Sequence, residues 1–215
     1  MIDAKDLFDT WAKDNRDEKM ARGHEQSVAE MFAILQPHIT KPYSMLDIGC
    51  GNGWVTRSQR YASNNDKISG CYYAKGIDGA PAMIKKAIAA DNDSKCDFEN
   101  VDITTFATSD RRFDLAFSME VFYYLSESQV PEFFKRVYSE YLEEQGLFLF
   151  GIDHYLENED CHDWAALNNT PMLLWPEAKW REVVEGAGFQ VVEQRRVGIR
   201  DDMQYGTMAI LARKQ

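Results

Sequence analysis

The chain has few cysteines and no long hydrophobic run. Only four of its 215 residues are cysteine, and no two of these have C-x-x-C spacing: Cys50, Cys71, Cys96 and Cys161. This pattern disfavours a zinc site and a disulfide framework, and it is typical of reduced thiols in a cytosolic protein. No apolar stretch is long enough to cross a bilayer, and the opening MIDAKDLFDTW is acidic where a signal peptide would be basic and then apolar. We therefore predict a cytoplasmic protein with no membrane contact.

The chain also has fewer basic than acidic residues. Lysine and arginine together number 24 against 35 acidic residues, which gives a formal net charge of −11. A surface with this mean charge repels polyanions and weakens binding to phosphate backbones. The densest basic cluster, Arg195 and Arg196 with Arg200, is short and lies next to Asp201 and Asp202. We therefore predict no nucleic-acid partner.

Length and composition indicate one globular domain over residues 1–215. Hydrophobic residues make up 45% and charged residues 27%, close to the values of ordinary soluble domains. Apolar periodicity alternates between helical and extended patterns, as in β-α units around a largely parallel sheet. We divide the chain into an N-terminal helical cap (1–40), a core (41–152), a substrate loop or lid (153–175) and a last helix with two closing strands (176–215).

Local patterns predict the individual elements. Alternating or continuous apolar runs predict seven strands. The second is predicted to end with Lys75–Asp78, and the others are Tyr43–Ile48, Phe98–Val101, Phe113–Ser118, Leu147–Ile152, Phe189–Val197 and Thr207–Ala212. Gly146 is expected to turn the chain into the fifth strand. Helical spacing and caps predict helices over 3–38, over 54–61, after Pro81, from the capping box Ser126–Gln129 to Tyr141, and from Pro176 to Gly188.

A glycine-rich turn, Asp47-Ile48-Gly49-Cys50-Gly51-Asn52-Gly53, follows the first predicted strand. Glycines allow backbone N–H groups to approach a ligand, and the next helix presents its positively polarised N-terminus. A dinucleotide site would have the spacing G-x-G-x-x-G, but the sixth position from Gly49 is Trp54, whose indole would obstruct helix-strand packing. The turn therefore indicates a ligand other than a nicotinamide dinucleotide.

The D-x-G-x-G-x-G form of this turn resembles the first motif of the class I S-adenosylmethionine-dependent methyltransferases, and the resemblance extends over most of the chain. It implies an α/β Rossmann-like fold with a seven-stranded, mostly parallel sheet, helices on both faces, an antiparallel last strand and an N-terminal helical lid. It also implies an enzyme whose cofactor is S-adenosyl-L-methionine. A chance glycine turn is the alternative.

The resemblance assigns cofactor contacts to single residues. Asp47, Gly49 and Gly51 would hold the amino-acid end of the cofactor, and the backbone near Gly53 would lie beside the sulfonium and ribose. Asp78 would accept hydrogen bonds from both ribose hydroxyls, a geometry that suits a carboxylate. Because Asp78 follows Gly53 at a longer distance than is usual in the family, we predict that Asn64–Tyr73 is an inserted loop.

A third acidic residue completes the cofactor set. Asp102 would accept a hydrogen bond from the adenine amino group, with Ile103 covering the base, and its alternative is a plain surface aspartate. The predicted cofactor-binding residues are Asp47, Gly49, Cys50, Gly51, Gly53, Asp78, Gly79, Met83, Asp102, Ile103 and Met119.

Residues after the fourth and fifth strands are candidates for the acceptor site, because open α/β sheets bind ligands beyond the carboxyl ends of their strands. Glu120 could accept the nucleophile's proton or hold a cationic acceptor, or it could only cap the next turn. A loop histidine could act as a base, although such residues are often solvated or structural. The predicted catalytic residues are Glu120, His154 and His162, and the predicted substrate-binding residues are Trp11, His24, Tyr123, Tyr124, Asp153, Tyr155 and Trp164.

The N-terminal helices, which carry Trp11 and His24, are expected to fold over the pocket as a lid, although core packing would explain Trp11 equally well. No metal is predicted, because the spacing of Asp153 and Asn158 does not match that of metal-dependent catechol-type family members. The N-P-P-Y and D-P-P-Y signatures of amino-directed nucleic-acid and glutamine methyltransferases do not occur in the sequence, which removes one class of acceptor.

The favoured hypothesis is methyl transfer to a small molecule by in-line displacement. It is based on the cofactor motifs, the acidic composition and the aromatic loop 153–175. Two alternatives stay open: methylation of a protein or peptide, and a catalytically silent cofactor-binding partner subunit. The sequence also leaves open the acceptor atom, the use of a general base and the oligomeric state.

Overall fold

The computed structural model describes residues 1–62, 70–92, 94–108, 111–201 and 203–215. Within them one sheet is built from seven strands: β1 (Tyr43–Ile48), β2 (Cys71–Asp78), β3 (Cys96–Asn100), β4 (Phe113–Met119), β5 (Leu142–Ile152), β6 (Gln190–Val197) and β7 (Thr207–Arg213). Their order is β3-β2-β1-β4-β5-β7-β6, and β7 is antiparallel to both neighbours. This confirms the predicted mostly parallel sheet with an antiparallel last strand.

Helices cover both faces of the sheet. The α-helices in the described residues are α1 (Ala4–Lys13), α2 (Arg16–Leu35), α3 (Trp54–Ala62), α4 (Pro81–Ala90), α5 (Gln129–Arg136), α6 (Trp164–Leu167) and α7 (Glu177–Gly186). The predicted helix 3–38 is interrupted at Asn15, where a left-handed φ of 57° breaks the helical path. The N-terminal cap therefore consists of two helices and a short 3₁₀ turn at Gln36–His38. No helix of the described ranges is long and apolar enough to cross a membrane.

The parallel strands β1, β2, β4 and β5 bring their carboxyl ends to one edge of the sheet. Strand β1 is buried at every position, as expected for a strand covered by helices on both faces. Strand β2 pairs with one side of β1 and β4 with the other, so the strand order reverses at β1. Such a reversal opens a crevice beyond the strand ends, and this is where the glycine-rich turn lies.

Two hydrophobic clusters hold the layers together. On one face, α2 packs through Val28, Met31 and Leu35, and its Phe32 stacks on Phe117 of β4 with ring centroids 5.2 Å apart. On the other face, α5 and α7 enclose an aromatic core made of Phe122, Phe133, Phe134, Phe148, Phe150 and Trp180. The buried residues of α2, α5 and α7 recur at helical spacing, in agreement with the helices predicted over these segments.

Several predicted boundaries need correction. Strand β2 begins at Cys71, so the last part of the predicted inserted loop Asn64–Tyr73 is strand, while residues 63–69 lie outside the described ranges. The helix to Tyr141 ends in a π turn, Val137–Tyr141, and β5 begins directly at Leu142. The left-handed residue before the buried part of β5 is Gln145 (φ 66°), whereas Gly146 is needed for space, since a Cβ there would lie 2.7 Å from the Glu143 carbonyl oxygen.

Candidate functional site

A cavity of about 270 Å³ lies beyond the carboxyl ends of β1, β2 and β4, beneath α1 and α2. It brings together residues from both ends of the predicted core and from the N-terminal cap. Of the eleven residues predicted to bind the cofactor, all except Gly53 line this cavity: Asp47, Gly49, Cys50, Gly51, Asp78, Gly79, Met83, Asp102, Ile103 and Met119.

The glycine-rich turn is held in place by β2. The N–H groups of Gly49 and Cys50 both donate to the carbonyl oxygen of Ile77, at 2.8 and 3.0 Å. The N–H of Gly51 donates to Oδ2 of Asp78 at 2.9 Å. These three N–H groups are therefore paired within the fold and are not available as the ligand donors that we predicted.

The three glycines of the turn serve different purposes. Each has a positive φ, of +72°, +54° and +72° for Gly49, Gly51 and Gly53. A Cβ on Gly49 would lie 2.3 Å from Val121, and one on Gly53 would lie 2.6 Å from the ring of Phe98, so both positions are required for packing. At Gly51 no heavy atom lies within 4 Å of the position that a Cβ would take, and this space opens into the cavity. Gly51 therefore leaves room for a ligand, whereas Gly53 allows the turn to pack against the ring of Phe98.

Two buried acids, Asp47 and Asp78, stand on either side of the turn. Burial raises the pKa of Asp47 to about 7, although its Oδ2 accepts a 2.6 Å hydrogen bond from Thr56 Oγ1. Burial also raises the pKa of Asp78, against the effect of N–H donation from Ala80 and Gly51. Desolvated acids of this kind are stabilised in their ionised form when a cationic ligand binds beside them.

The N-terminal cap contributes residues that sequence reasoning missed. Lys5 of α1 lies against Gly79, and its Nζ is 2.9 Å from Oδ2 of Asp102. Asp17 of α2 is buried and accepts hydrogen bonds from Asn52 Nδ2 at 2.8 Å and Lys86 Nζ at 2.7 Å. No local sequence signal marks Lys5 or Asp17, because both reach the cavity only when the cap folds back over the sheet.

Glu120, Asp153 and His24 form an acidic cluster between the cap and the sheet, in which both acids are buried and His24 is half-buried. Oε2 of Glu120 accepts a hydrogen bond from the Asp153 N–H at 2.9 Å, and His24 Nε2 lies 3.1 Å from Oδ2 of Asp153. The pKa of Glu120 is raised well above its ordinary value by burial and by the charge of Asp153. Oε1 of Glu120 and Oδ1 of Asp153 are buried without a hydrogen-bond partner.

This acidic cluster is the one place within the described residues where three such side chains approach closely enough to hold a metal ion. One ligand atom from each residue lies within 4.8 Å of the others. Glu120 also has a left-handed φ of 60°, which is uncommon for a residue with a Cβ. Local strain of this type is often retained at functional sites.

A second cavity, of about 240 Å³, lies on the other side of Met20 and His24, which line both cavities. Its wall includes two of the predicted substrate residues, Asp153 and Trp164. Tyr124, another predicted substrate residue, lines the first cavity, where its ring meets the edge of Phe8 with centroids 5.3 Å apart. The structure thus brings four of the seven predicted substrate residues to the two cavities.

The other three belong to the surrounding structure. Trp11 lines neither cavity, and its ring packs against Phe8 and beneath the guanidinium of Arg16. Tyr155 is a core residue whose hydroxyl donates to the carbonyl oxygens of Tyr205 and Gly206. Tyr123 is buried behind Tyr124, with ring centroids 4.5 Å apart.

The two predicted catalytic histidines also line neither cavity. His162 is exposed, and its Nε2 contacts the Leu156 carbonyl oxygen at 2.9 Å, away from both cavities. His154 is buried, with Nδ1 3.0 Å from the Leu173 carbonyl oxygen and Nε2 unpartnered. Burial lowers the pKa of His154, so its imidazole is neutral near pH 7. Of the predicted catalytic set, only Glu120 faces the cofactor cavity.

Comparison with known proteins agrees with this geometry. A family model described as a methyltransferase domain matches residues 13–194. A search of curated protein sequences gave no significant match. The chain belongs to the methyltransferase domain family, and its fold is that of the class I S-adenosylmethionine-dependent methyltransferases. S-adenosylmethionine is the methyl donor of this class.

Solved structures show the same architecture. The protein in complex with the Haloferax volcanii Trm112 methyltransferase activator is 25% identical, with 99% of this chain and 98% of that chain covered and a TM-score of 0.83. A magnesium protoporphyrin IX methyltransferase from Synechocystis PCC 6803 with bound S-adenosylmethionine is 13% identical, with 100% and 99% covered and a TM-score of 0.70. A Mesorhizobium loti S-adenosylmethionine-dependent methyltransferase is 20% identical, with 82% and 93% covered and a TM-score of 0.65.

Proposed function

We propose that the chain transfers a methyl group from S-adenosylmethionine to a small molecule that binds beneath α1 and α2. The observation that carries this proposal is the cover over the cofactor cavity, to which these helices contribute Phe8, Met20 and His24. An acceptor that reaches the methyl group under such a cover has to be small. A protein substrate would instead need an open groove that receives a side chain.

The residues around the cavity fit the cofactor, which supplies an activated methyl group on a positively charged sulfur. Asp78 would accept hydrogen bonds from the ribose hydroxyls through the lone pairs that Gly51 and Ala80 leave unused. Asp47 would stand near the amino-acid end, and the open space over Gly51 gives that end room. The lining is acidic, which favours a cationic ligand, through Asp3, Asp17, Asp47, Asp78, Asp102 and Glu120.

We assign Asp102 and Ile103 to the adenine end of the cofactor, as the family resemblance implies. Oδ1 of Asp102 accepts hydrogen bonds from the N–H and hydroxyl of Thr104, while Oδ2 pairs with Lys5. These contacts hold the carboxylate at the cavity wall next to Ile103. Lys5 of the cap therefore adjoins the same end of the cofactor.

Cofactor binding is tested by isothermal titration with S-adenosylmethionine and S-adenosylhomocysteine. The Asp78→Asn variant is expected to weaken binding by about tenfold or more, because an amide oxygen replaces one charged acceptor. The matched control Asp163→Asn removes an exposed acid outside both cavities and should leave the affinity unchanged. Equal affinity of the wild type and Asp78→Asn would contradict the assignment.

Methyl transfer is then tested by incubating the protein with a metabolite mixture and S-adenosylmethionine labelled in the methyl group. The proposal requires label in a small-molecule product. Label in added proteins or peptides alone would favour the protein substrate, and cofactor binding without any labelled product would favour the silent partner subunit.

A second proposal concerns a protein partner. The similarity to the protein found with the Haloferax volcanii Trm112 activator extends over 99% of this chain, and we propose that this chain also associates with a Trm112 protein. Co-expression followed by gel filtration should give one complex with both chains in equal amounts. Separate elution of the two chains would contradict the association and would leave the methyltransferase proposal intact.

A further inference from the structure

The acidic cluster Glu120, Asp153 and His24 is incomplete in its hydrogen bonding. His24 Nδ1 lies 2.9 Å from the Met20 carbonyl oxygen, which is an acceptor only, so Nδ1 carries a proton. His24 Nε2 lies 3.1 Å from Oδ2 of Asp153. Oε1 of Glu120 and Oδ1 of Asp153 have no hydrogen-bond partner, although the Tyr123 hydroxyl lies near enough to Glu120 to oppose the rise of its pKa.

Unpaired carboxylate oxygens are costly to bury, and they are satisfied best by a ligand that brings a positive charge and several N–H donors. A protonated amine brings two or three such donors. A hydroxyl brings only one, a thiol is a weak donor, and a carboxylate ligand would be repelled. A metal ion at the same place would take the lone pair of His24 Nε2, so the test has to distinguish metal binding from amine binding.

On the basis of the proposed methyl transfer to a small molecule, we infer that the acceptor is a primary or secondary amine that binds as a cation between Glu120 and Asp153. The second cavity, which Asp153 lines, receives the rest of the acceptor. Its wall combines the acids Asp153 and Asp160 and one cation, Arg200, with apolar and aromatic surface, namely Met20, Trp164, Met203 and Tyr205. Trp and Tyr rings attract organic cations and pack against an apolar body.

His24 and Met20 form the wall between the two cavities, so an acceptor that reaches from one cavity to the other has to pass these two side chains. Both residues line the cofactor cavity as well as the second cavity, and Glu120 lines the cofactor cavity. An amine nitrogen placed at Glu120 is therefore beside the cofactor site, while its body extends past His24 towards Trp164.

The chemistry of an amine requires a proton acceptor. An ammonium nitrogen has no free lone pair, so one proton has to pass to the Glu120 carboxylate before attack. The neutral amine nitrogen then forms the bond to the methyl carbon while the carbon–sulfur bond breaks, and a neutral thioether leaves. The product is an N-methylammonium ion, and the proton on Glu120 is released to solvent. Burial and the charge of Asp153 raise the pKa of Glu120, so its carboxylate is a strong base once a bound ammonium group keeps it ionised.

The test measures binding to protein saturated with S-adenosylhomocysteine. Benzylamine and benzyl alcohol serve as probes, because they share the aromatic body and differ in the ammonium group. We expect benzylamine to bind at least about tenfold more tightly than benzyl alcohol, and we expect this preference to disappear in Glu120→Gln and Asp153→Asn. The control Asp163→Asn, an exposed acid in the same loop, should retain it.

If a variant still binds S-adenosylhomocysteine, it is folded. If the wild type does not bind S-adenosylhomocysteine, the proposed function itself is contradicted. If the wild type binds S-adenosylhomocysteine but binds the two probes equally, or binds neither, the amine inference is wrong. Stoichiometric binding of Mn²⁺ or Zn²⁺ that His24→Gln abolishes would also overturn it. Label transfer to alcohols or thiols and not to amines would exclude an amine acceptor as well.

Discussion

Single buried carboxylates control the electrostatics of the cofactor cavity, and Asp47 is the clearest example. Its pKa of about 7 means that it is half protonated near neutral pH in the free protein. A cationic ligand binds more favourably to the ionised form. We therefore expect the affinity for S-adenosylmethionine to rise as the pH increases from 6 to 8. Titrations at pH 6, 7 and 8 measure this, and Asp47→Asn should flatten that part of the pH dependence.

Ionisation of Asp47 also lowers the stability of the folded protein. Its pKa in the folded protein lies above the ordinary value of 3.8, so folding favours the protonated form. The free energy of unfolding therefore falls as the pH rises from about 4 to about 7, by at most about 4 kcal/mol at 1.4 kcal/mol per pKa unit. Asp47→Asn, whose amide oxygen still accepts from Thr56, should be more stable than the wild type at pH 8 by urea denaturation. A less stable variant would contradict this.

Substitutions at two glycines of the turn should affect the stability of the fold and the affinity for the cofactor to different extents. Gly53→Ala places a Cβ against the ring of Phe98, so we expect a loss of about 1–3 kcal/mol in the free energy of unfolding. Gly51→Ala carries the strain of a left-handed φ but its Cβ meets no atom, so it should cost less stability than Gly53→Ala and should weaken cofactor binding by about tenfold. Urea denaturation and isothermal titration on both variants test the contrast. The reverse pattern would show that the cofactor does not occupy the space over Gly51.

At the scale of elements, the N-terminal cap is fastened to the sheet at several points. Asp9 of α1 accepts a 2.7 Å hydrogen bond from the Ala82 N–H, and so caps the first turn of α4, which has no side-chain cap of its own. Asp17 of α2 ties the cap to Asn52 in the glycine-rich turn and to Lys86 in α4. The cap is thus attached to the elements that form the cofactor cavity.

The Asp17 contact predicts a link between the cap and cofactor binding. Asp17→Asn removes the buried charge that holds Lys86, at an expected cost of about 1–2 kcal/mol in cap docking. We expect weaker binding of S-adenosylmethionine, by about 5- to 30-fold, and faster proteolytic cleavage within the first 40 residues. Asp14→Asn, at the exposed junction of α1 and α2, is the control and should change neither. Unchanged proteolysis of Asp17→Asn would contradict the docking role.

The structure shows which features could be predicted from sequence. Strand β1, the glycine-rich turn and α3 are contiguous, so their local pattern is sufficient, and the acids Asp78 and Asp102 follow their own strands. By contrast, His24 meets Asp153 across 129 positions, which no local pattern describes. His162 lies outside both cavities, because the 3₁₀ turn Glu159–Cys161 directs it towards solvent and the Leu156 carbonyl oxygen.

At the scale of the whole molecule, the two hydrophobic clusters lie on opposite faces of one sheet, and strands β1, β4 and β5 contribute to both. Helix α2 of the cap packs directly against this sheet through Met31 and Leu35. The cap and the closing strands therefore share one core, since Ser27 of α2 also accepts a 3.0 Å hydrogen bond from Thr207 of β7. A third, smaller cluster of Ala12, Ala80 and Met83 joins α1 to α4, so both helices of the cap are packed against the same fold.

This shared core predicts one cooperative thermal transition for residues 1–215, with equal midpoints by tryptophan fluorescence and far-ultraviolet circular dichroism. S-adenosylmethionine at about 100 times its dissociation constant should add about 2.7 kcal/mol to the free energy of unfolding and raise Tm by about 5–10 °C. Because the cap covers the cofactor, Asp17→Asn should lower both this shift and the Tm of the free protein. Two transitions, with the cofactor shifting only one of them, would mean that the cap and the sheet unfold separately.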